Sequence, residues 1–498
     1  MRGQRWLAAV AVLTLAAVGT VRSQAAMDGG MIAKIRTEGL EHSQVARIFH
    51  TITTRFGGRL TGSPAQKAAS TWARDQLREF GLSDARLEPW RFGRGWELKK
   101  LTVEMVAPRY MPLIGYAEGW SASTAGDITG TPVYLGDKTA ADIPGMAAQI
   151  KGAIVLSQPE QTTFVVEDRY QPTVSADPSA GTAPRFPYDP ARVGKPGQAF
   201  IHALHDAGVG AVIKPSPANY GSVFVLGRDE GADAVPSIVM AAEQYNLILR
   251  MLKMGLPVKL HVDVQAQYYD DPDTYNVIAE IPGTDPALKD QVVMIGAHLD
   301  SWHSATGSAD NADGAAEVME AMRILKAVGA RPRRTIRVGI WSGEEQGLLG
   351  SKAYVAQHLA GPSNKAARDN FDVYLNTDAG RGWAWGFYME NDPQAKALFD
   401  QWLEPFRDLG ARRNVIQGIG ATDHLSFLHD GMAGFNAIRD YRNYDQRIHH
   451  TNMDMDERVS LPSLKEAAIV LAAFAYDAAM IDQKIPLPPA AAAAAGGR

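Results

Sequence analysis

The chain has 498 residues, of which 46% are hydrophobic and 21% charged, and a formal net charge of -5. These values are near globular averages, allow two or more domains with sizeable cores, and argue against a nucleic-acid or anionic-membrane partner, which would favour clustered Lys and Arg. The chain contains no cysteine, so a Cys nucleophile and thiolate metal ligands are excluded, and any metal here is held by His and carboxylate.

At the amino terminus Arg2 and Arg5 precede an apolar run from Trp6 to Val18, with small residues at Ser23, Ala25 and Ala26. This order predicts a secretory signal peptide over residues 1–25, with cleavage after Ser23 or Ala25 left open. The run is shorter than the ~20 residues a bilayer span needs, so no stable membrane span is expected. The protein is expected to be exported, either periplasmic or secreted. A helix follows from Met31 to Phe49, then a Gly- and Pro-rich loop at residues 57–64, then an amphipathic helix from Gln66 to Phe80 closed by Gly81.

Between residues 116 and 255 the texture changes to short β-rich runs, such as residues 131–135 and 152–156, separated by Gly and Pro turns. Residues 161–196, rich in Pro, Thr and Asp, predict a long loop, followed by a helix over residues 198–206 that leads into a buried strand ending at Ile213. From Thr274 onward, apolar strands at residues 275–281, 291–297, 335–341 and 371–376 alternate with helices at 314–328 and 349–358. Such alternation implies an α/β fold with a mostly parallel mixed sheet covered by helices on both faces. A long helix over residues 461–481 closes this domain, and residues 486–498 read as a disordered tail. Residues 27–115 and 256–485 are thus expected to form one domain, interrupted by an inserted β-rich module at 116–255.

Ligands of open α/β sheets gather at the carboxyl ends of the strands, and the suggestive polar residues stand at such exits. One strand runs into His298-Leu299-Asp300, where Asp300 would orient His298 as a metal ligand. In Ser308-Ala309-Asp310-Asn311-Ala312-Asp313, Asp313 reads as a helix cap, while Asp310 lies outside the helix and is free to bridge. A further strand ends in Ser342-Gly343-Glu344-Glu345. Two adjacent desolvated glutamates repel each other unless a metal binds one and leaves the other as a proton shuttle; a solvated acidic loop is the alternative. Asn376-Thr377-Asp378 follows a third strand, and His449-His450-Thr451-Asn452-Met453-Asp454 supplies a late polar loop. Singly each motif has a bland explanation, but their conjunction in one α/β domain does not.

In this order the motifs resemble those of the co-catalytic dizinc exopeptidases, which include bacterial leucyl aminopeptidases, plasma glutamate carboxypeptidase and prostate-specific membrane antigen. Arg59-Leu60-Thr61-Gly62-Ser63 resembles that family's N-terminal segment, and the middle module is similar to an inserted protease-associated domain. The resemblance implies two Zn2+ ions, with Co2+ or Mn2+ also compatible with the donor set. It implies Asp310 as the bridging ligand, His298 and Asp378 on one ion, and Glu345 and His450 on the other. His450 is preferred over His449 by its offset to Asp454. Glu344 would be the general base and Asp300 the orienter of His298, and the Asp310–Asn311 peptide is often cis in such proteins.

Residues 420–424 resemble the family's substrate-side loop, which makes Asp423 and His424 candidates for substrate binding unless the stretch is simply a loop with a helix cap; Tyr444, Trp302 and His303 are further candidates for shaping the pocket. The resemblance implies hydrolysis of terminal peptide bonds in peptide substrates. An aminopeptidase is the leading reading, and a carboxypeptidase or dipeptidase of the plasma glutamate carboxypeptidase type the alternative. Retention of all five ligands and of Glu344 argues against a non-catalytic receptor on the same fold. By analogy the inserted module either gates the cleft or contributes to a homodimer.

Overall fold

The computed structural model describes residues 27–172 and 194–496. The expected signal peptide and most of the expected 161–196 loop lie outside them. The main sheet has seven strands: β1 (Ser83–Arg91), β2 (Asp273–Ile281), β3 (Val292–His298), β4 (Thr335–Trp341), β5 (Phe371–Asn376), β6 (Phe387–Tyr388) and β7 (Ala433–Ala437), in the spatial order β1-β2-β4-β3-β5-β7-β6. Strands β4, β3, β5 and β7 are mutually parallel, and antiparallel strands complete both edges. The parallel strands are apolar on both faces because helices cover both. They therefore bring the exits of β3, β4, β5 and β7 to one end of the sheet.

The helices that position this sheet are α1 (Gly29–Glu41), α2 (Val45–His50), α3 (Pro64–Glu79), α4 (Asp313–Ala327), α5 (Leu349–His358) and α6 (Leu461–Met480). From Ala467 to Ala479 helix α6 is buried on every side and, Asp477 apart, built of alanine, aliphatic and aromatic residues. It packs on α4, α1 and β3, and its alanines admit close neighbours. The expected continuous helix over residues 31–49 is instead two helices. The chain breaks at His42–Gln44 because the Ser43 hydroxyl and the Glu320 carboxylate accept the Val45 and Gln44 amide hydrogens and start a new helix. Helix α3 starts as its sequence demands: the Ser63 side chain caps the Gln66 amide and Pro64 takes the first turn. Residues 489–496, expected to be a disordered tail, form a short helix. Alanine is the strongest helix former, and Ala491 is buried where this helix meets the helical turn His424–Leu428.

The insertion is tied at its root. Strands Gly95–Ala107 and Lys259–Tyr269 pair antiparallel along their whole length, bringing the two ends of the intervening segment together. Beyond them lies a five-stranded sheet whose last four strands, Ser237–Met240, Ala211–Pro215, Ile154–Leu156 and Val133–Tyr134, are mutually parallel. Helices Ile143–Ile150, Gly194–Asp206 and Ala242–Lys253 accompany this sheet, so the module is more helical than its sequence texture indicates. Among the described residues no helix is long and apolar enough to cross a membrane.

A close approach of two helices suggests a stability test. A Cβ on Gly39 of α1 would lie 2.2 Å from Ile469 Cγ1 of α6. Gly39→Val should lower stability by about 1–3 kcal/mol through overpacking, read as a reduced urea midpoint with an unchanged slope.

Candidate metal centre

His298 is the last residue of β3 and is fully buried. Its Nδ1 lies 3.0 Å from the Asp300 backbone carbonyl and 3.6 Å from the Asp300 carboxylate. A carbonyl only accepts, so Nδ1 carries the hydrogen and Nε2 turns a lone pair toward the strand exits. The Asp300 carboxylate also accepts hydrogen bonds from the Thr61 hydroxyl at 2.9 Å and from the Glu344 and Glu345 amides at 3.3 Å each. Asp300 therefore shapes the turn after β4 as well as standing beside His298.

Asp310 sits in the short turn between β3 and α4, and its peptide bond to Asn311 is cis. Asp310 Oδ1 is 3.3 Å from His298 Nε2, while Oδ2 is 3.3 Å from His450 Nε2 and 3.8 Å from His449 Nε2. Asp378, just past β5, brings Oδ1 within 3.4 Å of His298 Nε2. Glu345 Oε2 lies 2.9 Å from His450 Nε2, and Glu344 Oε2 lies 4.0 Å from His298 Nε2. The structure thus brings together every residue that the sequence singled out as a metal ligand or base. Ligand atoms of His298, Glu344 and Asp378 converge within 4.8 Å of one another, as do those of Asp310, His449 and His450.

The electrostatics of this cluster are those of a dry, acidic site. Burial pushes Glu344 well above the usual carboxylate range, and burial together with Asp310 pushes Glu345 up to about 7. Burial opposes ionisation of Asp310 too, but His298 and His450 hold it well below its ordinary value. Burial would also lower His450, yet Glu345 and Asp310 raise it to about 10. His449 is pushed down to about 3 by burial and by the His450 charge. His298 Nε2, Asp310 Oδ2 and Glu345 Oε1 are buried with no hydrogen-bond partner among the described residues. Orphaned lone pairs of this kind cost free energy unless something satisfies them. Imidazole and carboxylate oxygen donors without thiolate fit a divalent ion such as zinc.

Several supporting roles escaped the sequence reading. Asp454 accepts the Ala309 and Asp310 amides at 2.7 and 3.1 Å and so holds the Asp310 turn. Arg59 is fully buried and spends its guanidinium on the carbonyls of Leu299, Gly57, Thr306 and Gly307, at 2.6–2.9 Å. Arg439 Nη2 lies 2.9 Å from Asp313 and 2.8 Å from Glu317 beneath the cluster. Asp313, expected as a helix cap, is therefore an ion-pair partner: it is already the first helical residue and accepts the Gly382 amide at 2.9 Å. Only the hydrophobic spacing of α4 hinted at these pairs, since charged residues at Asp313 and Glu317 interrupt an otherwise buried face.

The substrate-side candidates divide. Asp423 and His424 are fully buried and engaged inward, Asp423 with the Ser351 hydroxyl at 2.5 Å and His424 with Glu390 at 3.2 Å, so neither stands on an open cleft wall. Tyr444 is buried and stacks on His449 with ring centroids 5.1 Å apart. Trp302 lines the narrow cleft over Asp310, Glu345 and His450. His303 faces away, bonded to the Ala117 carbonyl at 2.9 Å, and burial pushes it down to about 4.

An α/β sheet with buried imidazoles and carboxylates converging at its strand exits is a fold and site suited to a metal-dependent hydrolase. Residues 276–475 match the model of peptidase family M28. Along its length the chain is 25% identical to mouse carboxypeptidase Q, over 86% of this chain and 84% of that one. An M28 peptidase precursor from Shewanella amazonensis shares the fold with a TM-score of 0.68 at 24% identity, covering 92% of this chain and 98% of that chain. A zinc aminopeptidase from Bacillus subtilis shares it with a TM-score of 0.57 at 18% identity, covering 89% and 98%.

The ion pair beneath the cluster gives a test. Burial lifts Asp313 to about 6 even with Arg439 beside it, and lifts Glu317 well above its ordinary value. Arg439→Met leaves both carboxylates buried and unpaired, and should cost about 3–5 kcal/mol at neutral pH. Carboxyls whose folded pKa is raised are relieved as pH falls, so the deficit should shrink toward about pH 5. Urea titrations at several pH values measure it.

Proposed function

We propose that the protein is an exported aminopeptidase holding two zinc ions. His298 and Asp378 complete one site, Glu345 and His450 the other, and Asp310 is shared. The observation that carries this reading is the placement of Asp310, with one carboxylate oxygen 3.3 Å from the imidazole of each half of the cluster. His450 is the ligand rather than His449, because it alone contacts Glu345 and lies nearer Asp310. When bound, paired divalent ions polarise a peptide carbonyl and make an attacking water more acidic.

Glu344 Oε2 faces the same space without contacting His450. It takes the proton of the attacking water and hands it to the leaving amine. Asp300 holds the Glu344–Glu345 turn in register for both roles. The arginines packed around the cluster, Arg59, Arg169 and Arg439, are buried and taken up by carbonyls or carboxylates. These arginines are therefore not available to hold a substrate's carboxylate, which supports the aminopeptidase reading. The similarity to carboxypeptidase Q along most of the chain supports the second reading, a carboxypeptidase or dipeptidase. We read the inserted module as a protease-associated domain.

Chelator-sensitive hydrolysis of leucyl, lysyl and glutamyl nitroanilides, lost when the amine is blocked, is the expected result. Turnover of blocked peptides or dipeptides alone would establish the second reading, and no turnover with zinc restored would remove the catalytic claim. Glu344→Gln should lower kcat by roughly 10²–10⁴ while zinc content by elemental analysis stays at the wild-type level.

A further inference from the structure

We infer that the loop carrying His450 is held in its metal-binding shape by a strap from the inserted module, residues 168–172, with Arg169 as its central positioning residue. The inference rests on the reading of His450 as a ligand. After β7 the chain crosses residues 438–450 with little regular structure, and His450 itself has a positive φ of 59°. A non-glycine residue stays in that strained region only when its surroundings dictate it.

The surroundings are unusually complete. Arg169 and Asp445 are both buried; the guanidinium grips the carboxylate through Nε at 2.9 Å and Nη2 at 2.7 Å, and the Arg169 amide adds a bond of 2.8 Å. The same guanidinium lies against the rings of Tyr441 and Tyr444, 5.1 and 5.3 Å from their centroids. Tyr444 in turn stacks on His449, whose ring is 3.7 Å from that of His450. On either side of Arg169 the strap serves loop amides that would otherwise lack partners. Asp168 accepts from the Asn443 and Gln446 amides at 2.6 and 3.1 Å, and Gln171 accepts from the Tyr441 amide at 3.0 Å and donates to the Arg439 carbonyl at 2.9 Å.

The far end of the loop is fastened by the same module. The Val225 amide donates to the His450 carbonyl at 2.8 Å, and Val223 exchanges bonds of 2.7 and 3.2 Å with Asn452. Phe224 between them rests on the His450 ring at 5.5 Å. Glu345, Asp310, Asp378 and His298 receive no such contacts from residues 168–172. The strap therefore acts on one half of the metal centre. Groups that orient metal ligands from behind change affinity by about 10–100-fold when removed.

The test is calorimetric titration of the metal-stripped full-length protein with Zn2+, paired with the visible spectrum of the Co2+ form. His450→Ala identifies which binding step belongs to this half. Arg169→Lys, which loses the two-pronged grip, and Asp168→Ala, a milder change at a half-exposed position, should each weaken that step by about 10–100-fold. The other step should stay at the wild-type value in both variants, and the melting temperature of the metal-free protein should stay there in Asp168→Ala. Wild-type affinity for both steps in both variants would overturn the strap, as would equal weakening of both steps together with a lowered melting temperature. If His450→Ala removes no step, the assignment of His450 as a ligand fails and the strap's proposed role with it.

Discussion

The organisation of the peptidase domain follows from the crowding of carboxylates into a dry space at the ends of four parallel strands. Asp300, Asp310, Glu344, Glu345, Asp378, Asp423 and Asp454 are all buried or nearly so around His298 and His450. Burial drives several of them toward protonation, and repulsion between neighbouring carboxylates adds to it. Bound cations would resolve the conflict, and His298, Asp310 and Glu345 each carry a buried polar atom without a hydrogen-bond partner among the described residues.

The surrounding protein is arranged so that its own cations do not compete. Arg59 is saturated by backbone carbonyls and acts as a rivet for the loop between β3 and α4, burial pushing it down to about 10. Arg439 is committed to Asp313 and Glu317 one layer below. Asp300 and Asp454 are spent on backbone amides, which fix the two turns that present Glu344, Glu345 and Asp310. The acidic residues thus fall into two groups: those whose oxygens are satisfied by the protein, and those left open toward the centre.

The inserted module is bound to this arrangement at more than its root. The antiparallel ladder of residues 95–107 and 259–269 anchors it, while residues 168–172 and 223–225 reach back to the loop around His450. A cavity of about 440 Å³ lies on the module's side, and Phe224 and Trp120 line it. Those rings also meet the metal centre, Phe224 directly at His450 and Trp120 through Trp302. Module and centre consequently share a wall.

The sequence by itself determined the sheet, the covering helices and the chemistry-bearing positions. Apolar β-branched runs are legible because burial on both faces demands them, and His298, Asp310, Glu345, Asp378 and His450 are legible because polar residues at strand exits and in adjoining loops interrupt that pattern. Only the tertiary structure decided what each polar residue faces. The break after α1 depends on Glu320, distant in sequence, and Asp313 meets Arg439 across the fold. Asp423 and His424 show the same limit, since their sequence context suits a cleft loop but packing turns both inward. The physical reason is common to all of these: hydrophobic periodicity is a local property of the chain, whereas the partner of a buried charge is set by contacts between segments far apart in sequence.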